Sequence, residues 1–178
     1  MFRNSTLGLL LLTLFTSWTA GTILGGMAGF ASRERWVKAL ESIIMVIRPI
    51  PYYILALIAL ILFAYLLPIF PIAGAYAAGK KMALTWSFVA SVIVHGALPA
   101  LSLVAGGIGV SFIQMKSMAS NIVAEDYVTF GRAGGLSRRK LVFRYTIRNA
   151  MLPQVTGLAL SLGQLFSGNL VVENVFSY

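Results

Sequence analysis

Cysteine is absent from this 178-residue chain, histidine occurs once, and aspartate and glutamate together number five. The missing cysteine excludes a disulfide framework, a thiolate nucleophile and a cysteine metal site. So few carboxylates and imidazoles leave no cluster for acid–base or metal chemistry, which speaks against a membrane-embedded enzyme. The phosphate-cradling pattern Gly-x-x-x-x-Gly-Lys-Ser/Thr does not occur, so the chain is not expected to hydrolyse ATP itself. Charge of either sign is scarce. Charged residues make up 11% of the chain and hydrophobic residues 58%, against about 25% charged in an ordinary soluble domain.

What is present is long uncharged runs, and they set the class: an all-α integral membrane protein, a polytopic helical bundle. The net charge of +9 is therefore read by position. A nucleic-acid partner would need a soluble basic face, for which the chain has no room. Four stretches have the roughly 20 apolar residues that a span requires: residues 5–30, 43–67, 88–115 and 151–172. The first, with Arg3 ahead of it and small residues near its end, also has the look of a secretory signal, but it is too long for a signal core. Gly21, Gly25 and Gly29 recur at four-residue steps within it and predict a helix-packing face. The second is interrupted by Arg48, Pro49 and Pro51. Either 36–47 lies along the interface on a stripe of Trp36, Leu40, Ile43, Ile44 and Ile47 and the span starts near Ile50, or one kinked helix crosses with Arg48 snorkelling to the headgroups. Arg48 facing a polar pathway is a further option. His95 heads the third span, as a polar cap or a substrate contact, and is no metal ligand by itself.

Basic residues set the orientation. Arg33, Arg35 and Lys38 follow the first span, and Lys116, Arg132, Arg138, Arg139, Lys140, Arg144 and Arg148 lie between the third and fourth. Arg3, Lys80 and Lys81 are left for the other side. This puts the 116–148 loop in the cytoplasm and the 68–81 loop outside. Within the loop, 121–133 is predicted helical, Gly134 and Gly135 offer the left-handed conformation that ends a helix, and Ser137 caps a second helix. There Lys140, Arg144 and Arg148 form a basic stripe. Leu141, Tyr145 and Leu152 share a neighbouring face, and Pro153 stands where the next span begins. Its basic face suits anionic headgroups, and a stiff short helix also suits a groove on a soluble partner.

The tract Glu125-Asp126-Tyr127-Val128, then Arg132-Ala133 with Gly135-Leu136, then Arg148-Asn149-Ala150 with Leu152-Pro153, resembles the cytoplasmic loop of inner-membrane permease subunits of binding-protein-dependent ABC importers, peptide/nickel type. Phe2-Arg3-Asn4-Ser5, Leu98-Pro99-Ala100-Leu101, Val171-Val172-Glu173 and Val175-Phe176-Ser177-Tyr178 extend the resemblance over nearly the whole chain. Two positions depart from it. Thr129-Phe130-Gly131 stands where the general family has Glu-Ala-Ala, and Gly131 stands where the subgroup commonly has alanine. The family also has spans beyond both ends, so the chain is expected to be a fragment or core, a single transmembrane permease domain over 1–178 with its coupling loop at about 118–150.

The resemblance implies a multi-pass protein of the inner membrane that imports peptides or a similar small solute by alternating access. It implies a coupling helix, within 125–136, seated in a separate ABC ATPase. Glu125, Asp126, Tyr127, Arg132, Ala133, Gly135 and Leu136 would then dock the ATPase, with Arg148, Asn149 and Pro153 at the junction with the next span. The implied partners are that ATPase, a second permease subunit, identical or homologous, an extracytoplasmic solute-binding protein and the bilayer. No cofactor is expected in this chain, since ATP and magnesium would sit in the ATPase. The scarcity of intramembrane carboxylates agrees with energy supplied from outside the chain. The alternative is a homo-oligomeric channel that conducts without an ATPase.

Overall fold

The computed structural model describes residues 2–72, 74 and 85–165, with side chains between Gly8 and Gly163. Lys80, Lys81, Glu173 and the 171–178 motifs lie outside the described residues, as does the last part of the expected fourth span, 166–172. Among the described residues the chain forms helices and turns and no strand.

Two helices make the spine, α1 (Phe2–Phe30) and α4 (Trp86–Val123). Both are long and apolar enough to cross a membrane. They run parallel. Gly21 lies against Ile108 and Phe112, Gly25 against Phe112 and Met115, and Gly29 against Lys116 and Ala119, so residue numbers rise together on both helices. A Cβ at any of the three glycines would come closer than 3.0 Å to α4 atoms. In lipid, where no hydrophobic force drives helix pairing, such close backbone approach supplies the dispersion contacts that hold helices together.

Helix α4 has 38 residues, a length of about 57 Å at 1.5 Å per residue, well beyond a hydrocarbon core of about 30 Å. It runs unbroken through Pro99, so His95 lies inside it rather than at its head, with Nδ1 2.8 Å from the Ser91 carbonyl. It also continues past Lys116 to Val123. Residues 121–123 therefore belong to α4, and the expected 121–133 helix is split at Ala124–Glu125. Nothing between Met115 and Val123 breaks a helix, and one lysine at a membrane surface does not end one.

The second apolar stretch is two helices. α2 (Arg35–Ile47) meets α3 (Tyr52–Leu60), which continues as a π-helical turn Ile61–Leu66, at 95°. Pro49 and Pro51 remove the amide donors that would carry one helix into the other. The expected α2 stripe is divided: Ile44 is buried and Leu40 partly so against α1 and α4, beside Val37, which the stripe did not include, whereas Trp36 and Ile43 are exposed. The single kinked helix therefore gives way to a right-angle pair, which adds a third span if the pair counts as one broken crossing. α3 packs on α4 through Ala56, Ala64 and Leu98.

After the short α5 (Asp126–Ala133), α6 (Arg138–Lys140), a π-helical segment Leu141–Ile147 and α7 (Arg148–Leu165) follow end to end. The expected separate basic helix is thus the first part of a helix that runs on into the apolar stretch, and Pro153 lies inside α7. Wider i→i+5 turns slip the side-chain phase. Leu141 is buried while Leu152, expected on its face, is 83% exposed. α7 runs antiparallel to α1: Gly26 meets Ile147, and the Trp18 indole donates to the Gln154 carbonyl at 3.0 Å.

Candidate functional site

The parallel α1–α4 pair and the antiparallel α7 bring together the last turns of α1 and α4 and the first turn of α7, and the loop between α4 and α7 folds over them. Glu125 opens α5 in an extended conformation, φ −70° and ψ 147°, and its carboxylate makes no capping bond. Its carbonyl accepts from the amides of Val128 and Thr129. Asp126 in the first turn and Arg132 in the last both complement the helix dipole.

The turn after α5 is a Schellman closure. The Leu136 amide donates to the Gly131 carbonyl and the Gly135 amide to the Arg132 carbonyl, each at 3.1 Å. Gly135 supplies the left-handed residue at φ +76°, whereas Gly134 stays at φ −76°. Of the two expected left-handed glycines, one is. A Cβ at Gly131 would lie 3.1 Å from both Leu136 Cδ1 and Leu141 Cδ2, so glycine lets these leucines close over α5. Ser137 caps the following helix by accepting from the Lys140 amide at 3.4 Å.

The elbow is fastened on three sides. Val128 is fully buried beneath it. The Tyr127 and Tyr145 rings stack at 6.3 Å, and Asn149 Nδ2 donates to the Tyr127 hydroxyl at 3.1 Å and to the Tyr145 carbonyl at 2.8 Å. On the α1 side, the Arg132 and Arg138 guanidinium groups lie 5.6 and 6.0 Å from the Phe30 ring centroid. Arg138 also pairs with Glu34, which accepts from the Trp36 indole. The Trp36 hydrogen bond, and then that of Arg138, hold the Glu34 carboxyl below its ordinary range. A second ion pair, Glu41–Lys116, joins α2 to α4.

Sequence reasoning named Tyr127, Arg132, Gly135, Leu136 and Asn149, and these meet in one elbow. It did not name Phe30, Glu34, Trp36, Glu41 or Tyr145 as members of the site. Their partners are up to 104 residues away in sequence, and only an acid count could have pointed to the two glutamates. Arg148 and Ala133 are exposed and make no part of the fastening. Phe130, 73% exposed, points away from the bundle beside the partly exposed Tyr127. The stem of Arg48 packs over Gly109 of α4. Among the described residues, no group of histidine and carboxylate side chains is placed to hold a metal. What the site offers among the described residues is an exposed aromatic and basic surface.

Residues 21–178 match the family of binding-protein-dependent transport system inner membrane components. The glutathione transport system permease protein of Escherichia coli (strain K12) is 31% identical over 167 residues, 92% of this chain and 50% of that protein. The dipeptide transport system permease protein of Bacillus subtilis (strain 168) is 27% identical over 158 residues, 89% of this chain and 46% of that protein. The chain thus spans about half the length of these curated relatives. Membrane-length helices among the described residues and a match over most of its length make this chain a member of the binding-protein-dependent transport system inner membrane components.

Proposed function

We propose that the chain forms the core of a transmembrane subunit of an ATP-driven importer for peptides or a similar small solute, with α5 as the helix that couples it to a separate ATPase. In this reading the elbow faces the cytoplasm. The described α7 is the first part of a fourth span, and a second permease subunit and an extracytoplasmic binding protein complete the transporter. ATP and magnesium are held by the ATPase. The relatives named for dipeptide and glutathione transport support the substrate class.

The observation that carries the proposal is the elbow's construction. α5 is tied to α1 through Phe30 and Arg132 and to the chain entering α7 through Tyr127, Tyr145 and Asn149. It still presents Phe130 outward. A force applied at α5 passes to two membrane helices at once, and a solvent-exposed aromatic is a suitable anchor for a partner's pocket.

The test is uptake and ATP hydrolysis by the reconstituted transporter carrying Gly135→Val. A β-branched residue cannot hold φ +76° without strain of about 1–3 kcal/mol. ATP hydrolysis should persist while uptake falls at least tenfold, with membrane insertion unchanged. Uptake at the unsubstituted level would overturn the coupling role. Ion conductance by the purified chain alone would favour the channel reading.

A further inference from the structure

Beside the elbow, two clefts of about 240 Å³ each adjoin one another and share Arg139 and Phe143. One is lined by Ser137, Lys140 and Arg144 as well. The other is lined by Met27, Trp36 and Val142, with Arg138 at its rim. One half is thus basic and the other largely apolar. Among the described residues Arg138 has a carboxylate partner, Glu34, while Arg139, Lys140 and Arg144 have none.

The antiparallel register fixes the height of this double cleft. Gly26 meets Ile147, and Glu34 meets Arg138. The apolar half therefore lies beside the last turn of α1, and the basic half lies just past its end, where the uncharged run stops and Arg33 begins the charged stretch. Trp36, half polar and half apolar, lines the apolar half, the kind of residue found at headgroup level.

We propose that this double cleft is a binding site for one anionic phospholipid. The phosphodiester is held by Arg139, Lys140 and Arg144, and the start of an acyl chain lies along Met27, Val142 and Phe143. Unpaired basic side chains beside an apolar slot at the membrane boundary match a molecule with the same order of charge and hydrocarbon. A soluble phosphate would satisfy the basic half alone and leave the apolar half without a ligand.

A photo-crosslinking benzophenone side chain in place of Phe143, which borders both clefts, tests this in the assembled transporter reconstituted in bilayers containing phosphatidylglycerol and phosphatidylcholine. Adducts should be enriched in phosphatidylglycerol at least about fivefold over its bulk share, the preference expected of a single effective basic contact. Arg139→Gln combined with Lys140→Gln should remove that enrichment while adduct yield with phosphatidylcholine persists, which also reports that the helix is in place. Millimolar inorganic phosphate should leave the enrichment intact. Adducts that mirror the bulk lipid composition, adducts to another subunit, enrichment that survives the double substitution, or enrichment erased by inorganic phosphate would each overturn the assignment.

Discussion

Glu34 shows how one carboxylate is recruited. It lies outside the apolar helices, accepts from Trp36 and pairs with Arg138, and so binds α1's end to the elbow. Its folded pKa is depressed, so its contribution is complete above the ordinary value of 4.5 and lost as pH falls through the lower folded value. The thermal midpoint of the purified protein should therefore be flat near neutrality and fall on the acid side. Glu34→Gln should lower the neutral midpoint and shrink that acid-side fall; an unchanged acid limb would show that the pair does not contribute.

Gln154 is the opposite case. Its side chain is 1% exposed, and its amide nitrogen and oxygen have no partner among the described residues. A buried amide left unpaired costs about 1–3 kcal/mol, so Gln154→Met, similar in shape, should raise stability in detergent by about that amount. A drop in the midpoint would mean that the amide is satisfied in the assembled protein.

At the scale of elements, the α1–α4 contact depends on the absence of three Cβ atoms. Gly25→Ala places a methyl against the Phe112 carbonyl, and overpacking of that kind costs about 1–3 kcal/mol. Gly8→Ala, with nothing within 4 Å of the new atom, is the control and should be neutral or stabilising. Equal midpoints for the two variants would sink the packing role. The four-residue glycine step was legible because a helix repeats its face at that interval; its partner was not, since α4's facing row of Ile108, Phe112, Met115 and Ala119 carries no comparable mark. The Gly-Gly turn was legible for a similar reason, a conformation that side chains avoid. Which glycine takes it was decided by the hydrogen bonds of Gly135 and Leu136. The π-helical turns had no sequence signal, and they moved Leu152 off the face that α-helical spacing assigned to it.

For the whole molecule, the parallel spine has a topological consequence. Residues just after α1 and those just after α4 lie at one end of the bundle, as Glu34–Arg138 and Phe30–Arg132 demand. The natural lack of cysteine makes this directly testable with single cysteines in sealed vesicles. Arg33→Cys and Arg139→Cys should react with an impermeant thiol reagent from the same side, and Thr85→Cys, ahead of α4, from the other. Labelling of Arg33→Cys and Arg139→Cys from opposite sides would contradict the fold, and labelling of both from outside the cell would contradict the proposed orientation alone.

The amino-acid order by itself determined the class, because uncharged runs of membrane length and the positions of the basic residues act locally on each segment and need no knowledge of neighbours. It also determined where α5 ends, because a left-handed residue is a property of one backbone position. Only the tertiary structure decided what the elbow is attached to, that α2 turns 95° from α3, and that two of the scarce carboxylates are committed to ion pairs. Those outcomes depend on which distant surfaces meet, and contact energies between segments about a hundred residues apart leave no periodic trace along the chain.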